Sequence, residues 1–361
     1  MKKIKFFAVA LAVLTMLSCS KETNQMNEVP SGAEANVTIS LQGTETRANI
    51  NTTPYTDDQK INNYIAFFFT EGGALVSKHY VADPTAADAN KLETTISAKK
   101  VSVVANTGAL AGGLFETVAT EAQLKAVSGS LSTQTTSPFT ASTQTGTNVW
   151  SAGSGAVTFT GDEGTATVAM SFLAAKIEVI VKDERTNNGD PSKIQITNTD
   201  IVLLNAGGQA KFFATESDKM IQTSWFNGDT SYADPTNTVE AAFLSETYTE
   251  TGVYFYAFGN SSEGQPTILA IKANRVEKDG AATVVYYPIA FSSADAGATI
   301  TEYADFVPGQ HYTVTLTLKG DVAGGGGGGT VNPEEPLVTA DVTVTIIPAA
   351  WIPKAVGKEF N

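Results

Sequence analysis

The chain has one cysteine, Cys19, among 361 residues. A lone cysteine can form no internal disulfide. Histidine is nearly as scarce. His79 and His311 are the only two, each on or beside a strand-like segment with no ligand-spaced partner. A metal centre or an acid–base pair needs a cluster or a positioned partner. Basic residues are few, with 23 Lys and Arg against 37 Asp and Glu and a net charge of −14. That balance disfavours nucleic acid and anionic membrane as partners. Beyond the first residues no apolar run is long enough to cross a bilayer. Neither a GxSxG motif nor a phosphate loop occurs. The glycines Gly324 to Gly329 lack the Lys and Ser/Thr of a phosphate loop. The expectation is a protein with no catalytic residues, no cofactor and no metal.

What is present begins with "MKKIKFFAVALAVLTMLSCSKE". Lys2, Lys3 and Lys5 precede an apolar run, Phe6 to Leu17, too short for a resident membrane helix. Residues 1–19 read as a secretory signal, and Cys19 after Ser18 as the acceptor of a bacterial lipid anchor. The plainer reading is an ordinary signal peptide with an incidental cysteine.

The rest of the chain has a period of two. Segments such as "YIAFFFTEGGALV", "KKVSVVANTG", "AAKIEVIVKDE", "GVYFYAFGN", "PTILAIKANR", "AATVVYYPIAF" and "HYTVTLTLKG" are rich in Val, Ile, Thr, Tyr and Phe. Gly, Asn, Asp and Pro separate them, as between strands. "GAVTFTGDEGTATVAMSFL" predicts a hairpin turning at Asp162-Glu163-Gly164. One clear helix is expected in "ATEAQLKAVSG", capped by Thr120 with Gln123 at the capping-box position and Gly129 after its end. "SLSTQTTSPFTASTQTGTN" predicts a surface loop. The fold class is all-β: two tandem β-sandwich domains with one or two short helices.

Both chain ends carry an isolated alternating strand. Val37, Ile39 and Leu41 form the first, followed by Arg47, the only basic residue between Lys21 and Lys60. Val342, Val344 and Ile346 form the second, with Trp351 beyond. A glycine-rich linker precedes it, a flexible coil spanning roughly 22–25 Å, so this strand is expected to stand away from the body. A sandwich that loses an edge strand exposes unpaired N–H and C=O groups and an apolar groove, which another chain's strand can fill. One reading therefore covers both ends. A trypsin-like protease cuts between Arg47 and Ala48, the strand at 36–42 leaves, and a neighbour's C-terminal strand replaces it. Such head-to-tail contacts propagate as a filament. The cut removes five of the 23 basic and four of the 37 acidic residues, leaving a net charge of −15. The division expected is signal 1–19, propeptide 20–47, β-sandwich domains 48–172 and 173–323, linker 324–337 and donor segment 338–361.

This layout resembles the fimbrillin family, the lipoprotein-derived type V pilins of Bacteroidales. The resemblance rests on the lipid-type signal ending at Cys19, "TETRAN", "YIAFFFTEGGALV", "VVANTG", "MSFLAAKIEVIV", "YFYAFGNSS", "FVPGQHYTVTLTLKG" and the C-terminal strand. The hexaglycine linker and the "IIPAAW" ending depart from the family layout. The resemblance implies transthyretin-like sandwich domains and an outer-membrane lipoprotein precursor that carries palmitate and touches the membrane only through that lipid. It also implies cleavage by an arginine-specific protease and assembly with itself and other fimbrial subunits into a cell-surface fimbria, with host or bacterial receptors as further candidate partners. A chain with both a cut site and a donor tail fits a shaft subunit. The alternatives are an uncut anchor or tip subunit and a surface glycan-binding lipoprotein.

Sharper chemistry has plainer counterparts. "TGDEGT" groups acidic residues but lacks the spaced oxygens of a calcium loop. Asp57-Asp58 and Asp183-Glu184 sit at strand ends, where charge is routine. Phe67 and Phe69 read as core, and Tyr254, Phe255 and Tyr256 as a strand buried on both faces. Trp225 could stack on a sugar, but packing over a sandwich end is the better reading.

Overall fold

In the computed structural model, residues 32–43, 59–131, 149–184, 195–215, 222–229, 245–247, 253–261, 266–276, 280–289, 306–318 and 342–350 are described. In chain order the strands are β1 (Glu34–Gly43), β2 (Tyr64–Phe69), β3 (Leu75–Val81), β4 (Lys91–Thr95), β5 (Lys100–Ala105), β6 (Ser128–Ser130), β7 (Ser151–Thr160), β8 (Glu163–Phe172), β9 (Ala174–Asp183) and β10 (Gln195–Leu204). They continue as β11 (Ala206–Gly207), β12 (Gln209–Lys211), β13 (Trp225–Phe226), β14 (Ser245–Thr247), β15 (Val253–Phe258), β16 (Ile268–Val276), β17 (Ala282–Ile289), β18 (Gln310–Leu318) and β19 (Val342–Ala350). The helix α1 spans Glu121–Ala126. The protein is all-β, built as β-sandwiches.

All strands up to Phe172 except β6 form one seven-stranded sheet, β3-β2-β5-β7-β8-β1-β4. It curls until its ends meet, where the Ser77 hydroxyl lies 2.9 Å from Thr94 Oγ1. Its inner face buries Val37, Ile39, Tyr64, Ala66, Phe68, Val101, Val103, Val168 and Met170. From Ala174 on, a four-stranded sheet, β14-β10-β16-β17, and a six-stranded sheet, β13-β11-β15-β9-β18-β19, enclose a second core. That core is continuous with the outer face of the first sheet. Phe115 and Phe212 meet edge to face at 5.0 Å, and Trp150 lies 5.4 Å from Phe212 and 6.1 Å from Phe258. The ribbon β12-β6 joins the two halves by backbone pairing.

Strand β2 is buried along both faces because its alternation feeds two cores. Tyr64, Ala66 and Phe68 point into one, and Ile65, Phe67 and Phe69 into the other. Phe255 and Tyr256 are likewise buried on β15, while the Tyr254 side chain lies outside the described residues. Trp225 is half-buried in the short strand β13, packing rather than standing clear in a loop.

Four expectations need correction. The β7–β8 turn is Gly161-Asp162, with Glu163 and Gly164 already in β8. Gly161 has φ +67°, which a glycine adopts without the Cβ penalty. The helix is shorter than its sequence window. Thr120 caps it, accepting from Gln123 N–H, and Gln123 Oε1 accepts from Ala119 N–H. Val127 ends it, and Gly129 belongs to β6. There a Cβ would come 2.1 Å from the Trp150 ring, so close packing rather than capping requires that glycine. Strand β1 is no edge strand, since β8 and β4 flank it. Strand β19 does not stand away from the body but pairs along β18. The Ser/Thr-rich loop at 132–148 and the linker lie outside the described residues.

Candidate functional site

Strand β1 begins from a plain alternation. Ala35, Val37 and Ile39 are buried and Leu41 is half-buried, while Thr38, Ser40 and Gln42 face solvent. Val37 and Ile39 together hold β1 by burial worth roughly 1.5–3 kcal/mol each. Gly164 makes room for the first of them. A Cβ there would stand 2.9 Å from Val37 Cγ2 and 2.7 Å from the Phe159 ring.

The two flanks of β1 are unequal. It runs parallel to β8 from Asn36↔Glu163 to Gly43↔Met170. Its antiparallel pairing with β4 covers only Glu34↔Thr95 to Thr38↔Lys91. Ile39 N–H reaches Asn90 O at 2.9 Å and Asn36 N–H reaches Asp162 O at 2.9 Å. Beyond Ile39 the backbone pairing of the strand, among the described residues, is with β8. The weakly held end is therefore the one that leads toward Arg47. An exposed ion pair at 2.9 Å, Lys91 Nζ to Glu163 Oε1, bridges the two flanking strands over β1.

Two side chains fix the walls around this strand. The Tyr64 hydroxyl donates to Asn90 Oδ1 at 2.8 Å, and Asn90 Nδ2 donates to Pro84 O at 3.0 Å. The loop into β4 is thereby pinned to the core. Burial pushes the Tyr64 hydroxyl above the usual tyrosine range, because the phenolate would lose its hydration. Asn106, at φ +63° and buried, takes the left-handed conformation that asparagine tolerates better than most residues. Its Nδ2 donates to Lys60 O at 2.9 Å and Val149 O at 3.0 Å, and its Oδ1 accepts from Asn62 N–H at 2.8 Å. It ties down the chain entering β2, independently of β1.

At the other terminus, β18 runs parallel to β9 from His311↔Lys176 to Leu318↔Asp183. β19 then lies antiparallel on β18, from Gln310↔Ala350 to Leu318↔Val342. Val342, Val344 and Ile346 thus sit in a strand with a partner on one side, last in its sheet among the described residues. Cys19, Arg47, Ala48 and Trp351 lie outside the described residues.

The sites weighed for sharper chemistry fall on ordinary surroundings. His79 meets the Phe68 ring edge to face at 6.1 Å. His311 Nε2 is 3.3 Å from Glu178 Oε2. Glu163 of "TGDEGT" faces Lys91 rather than other carboxylates. Among the described residues no group of three or more His, Cys, Asp or Glu could hold a metal ion, and no helix is long and apolar enough to cross a membrane. Sequence reasoning missed β4, Gly164 and Asn106 as parts of the site. Only Asn106 left a trace, in the "VVANTG" motif.

Solved structures place the fold. It is similar to a candidate cell adhesion protein from Bacteroides eggerthii DSM 20697, 40% identical, covering 90% of this chain and 98% of that one with a TM-score of 0.76. It is also similar to a fimbrilin (FimA) from Porphyromonas gingivalis W83, 20% identical, covering 90% and 99% with a TM-score of 0.59. The fold class is therefore the β-sandwich fold that these proteins share. Two family models divide the chain between them: the major fimbrial subunit protein (FimA) over 35–205, and the C-terminal domain of the FimA-like major fimbrial subunit protein over 174–351. The major fimbrium subunit FimA type-3 of Porphyromonas gingivalis is 24% identical, covering 97% of this chain and 98% of that protein. The chain belongs to the FimA-like fimbrial subunit family, whose members are structural subunits of cell-surface fimbriae and not enzymes.

Proposed function

We propose that this chain is a shaft subunit of a cell-surface fimbria, assembled by donor-strand exchange after cleavage between Arg47 and Ala48. Exported as a lipoprotein on Cys19, it reaches the outer membrane with β1 in place. An arginine-specific protease then opens the chain between β1 and β2. Strand β1, now held only by non-covalent contacts, leaves the groove between β8 and β4. The strand at 342–350 of another copy leaves its own β18 and fills it. The body divides near Phe172 into two domains, each of which keeps its core throughout.

One observation carries this reading. The strand on the N-terminal side of Arg47 is an interior strand of a sheet whose other members all follow the cut. No covalent link would then hold a strand that buries Val37 and Ile39. The clamp of Asn106 on Lys60 and Asn62 supports it, because the new N-terminal region stays anchored without β1.

The test is N-terminal sequencing and intact mass of protein sheared from the cell surface. High-molecular-weight material should begin at Ala48. Fibres whose subunits begin at a lipid-bearing Cys19 would overturn the cleavage step and leave an uncut anchor in its place.

A further inference from the structure

Aligned with an offset of 305, the segment "ADVTVTI" at 340–346 repeats "ANVTISL" at 35–41. Ala, Val and Thr are identical at three positions, and Asn/Asp, Ile/Val, Ser/Thr and Leu/Ile are near matches at the other four. We propose that the C-terminal segment of one copy replaces β1 of the next residue for residue in this register. Val342 then enters the Gly164 pocket, and the strand runs parallel to β8. The inference rests on the donor-strand reading above and specifies its geometry.

Side-chain parity comes first. A shift of one residue would turn every apolar side chain to solvent, so only shifts by two compete. In the proposed register Ala340, Val342, Val344 and Ile346 meet the places of Ala35, Val37, Ile39 and Leu41, matching their sizes in order except that Val344 is one carbon smaller than Ile39. A shift one way brings Ala340 to the Val37 pocket, leaving a void in a closely packed core. A shift the other way forces Val342 into the place of Ala35, which is 5% exposed, and overpacks it.

Backbone polarity agrees. Ile39 N–H points to the β4 side, at Asn90 O, and Asn36 N–H to the β8 side, at Asp162 O. Odd positions of β1 therefore donate toward β4. Pro348, which has no N–H, falls at the place of Gly43. Pairing of β1 with β4 ends at Thr38↔Lys91, so the missing donor has no acceptor to disappoint.

One substitution in the repeat carries a charge. Asp341 takes the place of Asn36, whose neighbours across the two ladders are Glu93 and Glu163. Both carboxylates are exposed, so the repulsion is mild and salt-screened. It cannot outweigh a void in the core, but it marks the register. In the register shifted by two toward Thr38, Asp341 would face Lys91 instead.

Disulfide mapping in the full chain, polymerised by limited digestion with an arginine-specific endoprotease, tests this. Thr38↔Lys91 lies between the hydrogen-bonded contacts at Ile39 and Ala33. It is therefore a close, non-hydrogen-bonded pair, about 4.5 Å between Cα atoms and within disulfide reach. Removal of residues 1–47 takes Cys19 with it, so the introduced cysteines are the only thiols. Thr343→Cys with Lys91→Cys should give covalent ladders at least about tenfold stronger than Asp341→Cys or Thr345→Cys with Lys91→Cys. Asp341→Asn alone should raise polymer yield severalfold at low salt. A ladder strongest at 341/91 or 345/91, or a lower yield from Asp341→Asn, overturns the register while leaving strand exchange intact. So does polymer without a ladder in any pair, provided that a variant lacking 338–361 fails to polymerise. Polymerisation by that truncated variant, or no polymer after cleavage, overturns the donor-strand reading and this inference together.

Discussion

Strands β1 and β19 read alike in sequence and sit differently in the molecule. Each alternates β-branched residues with small polar ones. The first lies inside a sheet, with β8 on one side and β4 on the other, while among the described residues the second ends its sheet and pairs with β18. An interior strand completes two ladders and a core, whereas a terminal one completes a single ladder. The difference teaches that similar strands can be bound to one body with unequal strength. On the strand-exchange reading, the strand to be discarded is the more deeply embedded one. Its release then needs a chemical event, the cut at Arg47, whereas β19 can leave by thermal opening.

The largest effect should come from damaging each strand in the uncut chain. Val37→Asp places an unpaired carboxylate where no solvent reaches, expected to cost about 3–5 kcal/mol. Deleting 338–361 should cost less than half as much by urea unfolding. Equal losses would erase the contrast between the strands. Asn106→Ala comes next. It removes the bonds of Asn106 to Lys60 O, Val149 O and Asn62 N–H and leaves an alanine at φ +63°, a loss of about 2–3 kcal/mol in the same assay. Polymers should dissociate more readily if this residue is the anchor that outlasts β1.

Gly164→Ala sharpens the comparison at the pocket itself. The added Cβ crowds Val37 and Phe159, for about 1–2 kcal/mol. Pairing it with Val37→Ala should recover part of that loss, since the two sites touch. Additive losses would mean that the pocket is not shaped around Val37. Tyr64→Phe should cost about 1 kcal/mol near neutrality through the lost bond to Asn90. The sign of its pH dependence follows from the raised hydroxyl. Stability from neutral, buried Tyr64 is complete below the unfolded tyrosine value of about 10 and lost as pH climbs above it. Tyr64→Phe should flatten that alkaline limb, and an unchanged limb would assign it to other groups. Smallest is Glu163→Gln, which removes an exposed ion pair. A change under about 1 kcal/mol that vanishes in high salt is expected.

Legibility in the sequence tracked local periodicity. The double burial of β2 could be read from "YIAFFF", because six consecutive apolar residues leave no polar face. Strand β4, "KLETT", was not legible. It buries only Leu92 and Thr94, and a threonine inside a core carries no hydropathy signal. The sequence sets the β7–β8 turn two residues into β8, because Gly161 and Gly164 are both turn-like in sequence. One supplies the turn, and the other gives space to a side chain from β1. The inward placement of β1 escaped sequence reading for a related reason, since both of its partners come from later parts of the chain.

By itself the sequence determined an all-β chain, the residues that face inward along strands such as β1 and β2, and the similar character of its two terminal strands. These follow from a side-chain period of two and from β-branched content, both local properties. Tertiary structure alone decided that β1 lies between β8 and β4, that β19 rests on β18, and that Gly164 is shaped to Val37. Backbone ladders carry no side-chain identity, so periodicity chooses a strand's face. Its neighbours are chosen by the packing of the whole core.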